Sequence, residues 1–268
     1  MNPKKLAQLA RDPRFISGIY NYCDRWCERC AFSNRCLNFA IEQAEGFPTG
    51  DARDLRNKEF WKHLHGMFQQ TIEMVKESAR EMGVNLNDPE LRAETLAYER
   101  QVRRREIKNQ RLPKAAMAYL ERVNKWMEAA KSDFKAKGIE LEAEERLEIG
   151  KPRKELAAIE DFVEVIRWYQ HFIYVKLCRA ISSRAEEEME TDPEMRAFPK
   201  DSDGTTKVVL IAIDRSIGAW AGLREVFPGQ EDSILELLRQ LGQIRQQAEA
   251  MFPNARTFVR PGFDEAVK

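Results

Sequence analysis

The chain has 268 residues, 43% hydrophobic and 33% charged, with 44 Lys and Arg against 44 Asp and Glu. Such a composition suits a folded chain rich in long helices, and its zero net charge excludes a polyelectrolyte partner that acts on the molecule as a whole. No run approaches the roughly 18–20 apolar residues of a membrane span, since the longest, residues 208–213, ends at Asp214.

The start, "MNPKKLAQLARDPRF", lacks the apolar core of a signal peptide. We therefore expect a cytoplasmic protein with reduced thiols. Period-2 alternation is nearly absent while the 3.6 period recurs, which predicts an all-α helical bundle carrying an N-terminal four-cysteine metal-binding module. The expected organisation is a Cys-rich module over 1–45, a bundle over 46–252 and an extended tail over 253–268.

In chain order, a first helix is expected through Phe15, Ile16, Ile19 and Tyr20, and a second from about Cys36. Residues 46–51, "GFPTGD", read as a loop. The next helix, about 58–82, carries a core stripe of Trp61, Leu64, Phe68, Thr71, Val75, Ser78 and Met82, with Gly83 as its stop. Asp88 caps and Pro89 opens a very polar helix. Pro113 opens another that ends at Gly138, followed by a short acidic helix over 140–148. A long helix over 153–189 buries Ile159, Val163, Ile166, Ile173 and Leu177. A hairpin over 206–226 and 231–251, turning at "FPGQ", completes the bundle.

Four of the five cysteines fall at Cys23-x3-Cys27-x2-Cys30-x5-Cys36. Four thiolates saturate a tetrahedral structural zinc, and the same set ligates a [4Fe–4S] cluster. A continuous helix would spread Cys23 to Cys30 over about 10.5 Å, so the chain must break, most readily between Cys27 and Cys30. The first three cysteines share the C-x3-C-x2-C spacing of radical-SAM enzymes. That match covers eight residues, has Arg29 where the family favours an aromatic, and comes with no βα alternation for a barrel, so we set it aside. Cys178 reads as a buried structural thiol.

There is no Glu-x-x-His pair for a ferritin-like di-metal centre, no Ser-His-Asp arrangement and no glycine-rich phosphate loop. A weaker constellation is Glu160, Glu164 and His171 on one stripe of the long helix, with Asp214 aligned to buried positions of its own helix. This set reads as a buried polar network or as a pocket. His63 pairs with Glu59 at the surface. The basic run 98–114 with Tyr98 offers a weak nucleic-acid interface.

The expectation is thus a structural zinc knot on an interaction bundle that takes a protein partner or a second copy. The alternative is an iron–sulfur redox or metal-dependent enzyme with a pocket around Glu164, His171 and Asp214.

Overall fold

The computed structural model describes residues 9, 11–44, 58–104, 107 and 110–264, except for the side chains at 60, 63 and 98–104. Among the described residues all regular structure is helical, without a strand. The chain divides into two compact units, Met1–Arg104 with Arg260–Lys268, and Arg105–Val259. No helix among the described residues is long and apolar enough to cross a membrane.

The first unit starts with three single 3₁₀ turns, Ile19–Tyr22, Cys27–Arg29 and Ser33–Arg35. The helix expected through Phe15 and Tyr20 shrinks to the first of these turns. Gly18 at φ +74° and Arg25 at φ +59° adopt left-handed backbone, which a right-handed helix cannot pass. The chain therefore breaks before Cys27 as well as after it. α1 (Leu37–Ala44), α2 (Lys58–Glu81) and α3 (Pro89–Arg104) follow. Gly83 stops α2 as its sequence predicts: at φ +69° it donates to Arg80 O, while Val84 N–H reaches back to Ala79 O at 2.8 Å. Asp88 caps α3 by accepting from Glu90 N–H at 2.8 Å.

The expected core stripe of α2 is not core. Trp61, Phe68, Val75 and Met82 are 53–71% exposed. Residues 260–264 belong to this unit. There the Phe263 ring stands edge-on to Phe32 at 5.2 Å, and Arg260 forks onto the Asp264 carboxylate at 2.9 and 3.0 Å.

The second unit contains α4 (Arg111–Ala129), α5 (Lys131–Arg146), α6 (Pro152–Met189), α7 (Pro193–Ala197), α8 (Asp201–Val226) and α9 (Glu231–Met251). Gly138 does not end a helix. The break comes earlier, at Ala130 (ψ 1°), and α5 runs straight through Gly138. The largest interface joins α6 to α8, α9 packs on α8 and α4, and α4 also packs on α6. α8 is the central helix. Val208, Val209, Leu210, Ala212 and Ile213 are all buried, and a helix apolar on most sides must be surrounded by others. By contrast α6 buries Ile159, Ile166, Ile173 and Leu177 and turns its other face to water.

α6 and α8 approach closely at Gly222, where a Cβ would fall 2.4 Å from the Phe162 ring. At the centre, Trp126 and Trp220 meet edge to face at 4.8 Å, Phe134 stands against both Trp126 and Phe227, and Trp220 Nε1 donates to the buried Tyr119 hydroxyl at 2.9 Å. Perpendicular rings suit the aromatic quadrupole, and the indole N–H finds the acceptor that burial demands.

Candidate functional site

The three 3₁₀ turns carry Cys23, Cys27, Cys30 and Cys36 to one half-buried pocket, shared with Ile19, Trp26, Phe39 and Phe263. Asp24 accepts from Trp26 N–H at 3.2 Å and fixes the first bend, and the Arg29 guanidinium covers the Trp26 ring at 4.1 Å. The pocket encloses about 20 Å³, room for one water-sized sphere.

Lining a pocket is not ligand geometry. Among the described residues no group of three or more Cys, His, Asp or Glu side chains is placed to hold a metal ion. This overturns the expected zinc at Cys23, Cys27, Cys30 and Cys36, and equally the alternative [4Fe–4S] cluster and the metal-dependent enzyme built on it. The all-α fold stands without a metal-binding module. Two of the sulfurs are turned to local backbone: Cys23 Sγ–H donates to Tyr20 O at 3.6 Å, and Cys30 Sγ accepts from Phe32 N–H at 3.4 Å. Spacing in sequence fixed the shared neighbourhood of the thiols but not the direction of each.

Burial first, then the Glu42 carboxylate and the Cys23 and Cys36 sulfurs, pushes the Cys27 thiol from the ordinary 9.0 up to about 11. Burial likewise raises Cys23. A thiol is neutral when protonated, so a raised folded value favours folding below pH 9 and loses that contribution as pH rises through about 11. Burial also raises Tyr119 in the other unit, with the same sign. The expected result is full stability to about pH 9 and progressive loosening of the first unit by about pH 11, followed by near-UV circular dichroism. At pH 8 the Cys27 thiolate fraction is about a hundredfold below that of an ordinary cysteine, so iodoacetamide should modify it slowest among accessible thiols. Prompt labelling of Cys27, read by peptide mass mapping, would contradict this environment.

The constellation on the second unit does not converge. Glu160 and Glu164 are exposed and line a cavity between α5 and α6, whereas His171 is exposed and does not line it. A buried network through His171 is therefore absent. Asp214 is half-exposed and accepts from Arg245 at 3.1 Å and Arg256 at 2.7 Å, not from His171, Arg167 or Arg215. Arg215 bonds the Tyr169 hydroxyl instead. Cys178 is half-buried. The side chains of His63, Tyr98 and residues 99–104 lie outside the described residues, and with them most of the basic run.

The cavity that Glu160 and Glu164 border is the larger feature, about 440 Å³. Phe134, Leu141, Leu156, Ile159 and Val163 make its walls, and Lys137 and Arg167 join the two glutamates at its edge. Lys137 is held by Glu155 at 2.8 Å and Glu140 at 3.0 Å. Glu160 and Glu164 thus line an apolar trough together with Lys137 and Arg167, and Glu140 and Glu155 pair with Lys137. Sequence reasoning missed it because it scored α6 for a buried stripe and stopped α5 at Gly138. The signal was present in Leu141 and Leu156, apolar residues within highly charged stretches.

No protein-family model, no curated protein and no solved structure matches this chain.

Proposed function

We propose that this chain is a cytoplasmic interaction protein whose helical unit receives an amphipathic helix of a protein partner in the α5–α6 trough. The observation that supports this reading is the apolar trough of about 440 Å³, lined also by Glu160, Glu164, Lys137 and Arg167. Two adjacent helices with an apolar valley between them suit a third helix, whose i, i+3, i+4 and i+7 side chains fill the valley. With Lys137 held by Glu140 and Glu155, the lining keeps Glu160 and Glu164 against Arg167, a balance that favours a partner helix with Lys or Arg beside its apolar stripe.

The test titrates the purified full chain with a designed Leu/Lys amphipathic peptide and with its Leu/Glu counterpart. The Leu/Lys peptide should bind at least about tenfold tighter, a difference of about 1.4 kcal/mol. Leu156→Asp and Glu160→Lys, both at exposed positions, should each weaken that binding by about tenfold or more without changing the melting temperature. Equal affinity for the two peptides, or binding untouched by both substitutions, would sink the proposal.

A further inference from the structure

α2 carries an exposed apolar seam. Phe68 is 59% exposed, Ile72 45%, Val75 53% and Met82 71%, and Trp61, 53% exposed, lies on the same face. The spacing is strict. Trp61, His65, Phe68, Ile72, Val75, Ala79 and Met82 alternate steps of four and three over three heptads, with Met82 just past the end of α2 and Ala79, 4% exposed, already covered within its own copy. A 3.5-residue repeat is the pattern that keeps a seam facing another helix along a left-handed supercoil. A helix that merely packed on a globular body would show a wider 3.6 stripe.

We infer that α2 pairs with α2 of a second copy of this chain as a parallel two-stranded coiled coil. Three observations choose this occupant. The exposed parts of the five large side chains amount to roughly 500 Å² per copy, so a pair that covers them fully removes about 1,000 Å² from water, the lower threshold for an interface and the size of a weak, reversible one. Ile72 takes the a position, where a β-branched residue favours two strands when d is not β-branched, as at Phe68; the β-branched Val75 at d weakens that preference. The flanking residues select the direction. Beside the seam lie Lys62, Gln69 and Lys76 on one edge and Leu64, Thr71 and Ser78 on the other. A parallel pair sets the uncharged edge of one copy against the lysine edge of the other. An antiparallel pair sets Lys62 against the partner's Lys76 twice, like charge on like charge that Glu59, 3.8 Å from Lys62, and Glu73, 2.8 Å from Lys76, offset only in part because both glutamates lie one position further from the seam. His65 occupies an a position and weakens the pair, which makes the association readily reversible.

The experiment is the mass of the full chain in solution between about 1 and 100 µM, where a reversible pair changes its populations by mass action. A monomer–dimer equilibrium is expected. Ile72→Glu should leave a monomer throughout. His65→Ile should tighten the pair by about tenfold or more, which a seam used only within one chain would not do. Met82→Cys should give a covalent dimer on mild oxidation beyond the level of the unsubstituted chain. In a parallel pair the two copies of residue 82 face each other, and in an antiparallel pair they stand about 36 Å apart. A monomer at every concentration, or a dimer indifferent to Ile72→Glu, overturns the pairing. A dimer that tightens with His65→Ile but does not cross-link at residue 82 overturns its parallel direction.

Discussion

Trp220→Ala is expected to lower the stability of the helical unit by about 3–5 kcal/mol, the range for emptying a large aromatic site in a packed core. Trp220 is fully buried on the central helix α8, edge-on to Trp126, with its indole N–H on Tyr119. Removing it leaves a hole bordered by Trp126, and neither α4 nor α9 can collapse inward without leaving its other contacts. It also removes the donor to the Tyr119 hydroxyl, itself fully buried. A buried acceptor that loses its donor costs up to about 1–3 kcal/mol, and less here because the buried Ser216 hydroxyl still bonds Tyr119. Since a unit of roughly 150 residues shifts by about 2–4 °C per kcal/mol, the melting temperature should fall by about 6–20 °C. Trp220→Phe separates the two contributions, because it keeps most of the ring contact and removes only the donor, at a cost nearer 1–2 kcal/mol. Urea melts of both variants test this. A Trp220→Ala loss below about 1 kcal/mol would mean that the aromatic centre carries little of the packing.

Local chemistry was legible in the sequence wherever one residue type determines the backbone. Asp88–Pro89 opened α3, Gly83 closed α2, and "FPGQ" became the 3₁₀ turn Pro228–Gln230 between α8 and α9. What single residues do not determine was lost. Gly138 reads as a stop because glycine is a poor helix former, yet its cost of about 1 kcal/mol is easily overcome by packing of the surrounding α5. Asp214 looked buried because Leu210 aligns with it, but a carboxylate at a helix edge is drawn to whichever arginines the fold supplies, here Arg245 and Arg256, 31 and 42 residues onward. The four cysteines illustrate the same limit. Their spacing placed them around one pocket, while Arg25 at positive φ and the 3₁₀ turns set the direction of each sulfur. The α2 seam was legible only in part: Trp61, Phe68, Val75 and Met82 stood in the expected stripe, but with Leu64, Thr71 and Ser78 in place of His65, Ile72 and Ala79, and the stripe was assigned to the core because periodicity reports that a face will be covered, not by which chain.

Gly262→Ala is expected to open the cysteine pocket. Gly262 holds φ +74°, where an L-residue costs about 1–2 kcal/mol. Its Cβ would also lie 2.9 Å from Ile16 Cδ1 and 3.0 Å from Ile19 Cδ1. Ile19 is only 2% exposed and has no free space to swing into, so overpacking adds about 1–3 kcal/mol. The combined cost, about 2–5 kcal/mol, falls on the docking of residues 260–264, which carry Phe263 onto Phe32 and complete the pocket wall. When that segment lifts, Cys27 regains water, its thiol returns toward the ordinary range, and its alkylation at pH 8 should accelerate by about tenfold or more. Gly18→Ala is the internal control. Gly18 has the same φ, +74°, but its Cβ would meet nothing closer than 3.7 Å. It therefore reports the backbone cost alone, about 1–2 kcal/mol. Alkylation of Cys27 followed by mass spectrometry should rank Gly262→Ala well above Gly18→Ala. Equal rates in the two variants would show that left-handed backbone, and not the closeness of Ile16 and Ile19, is what makes glycine necessary at position 262.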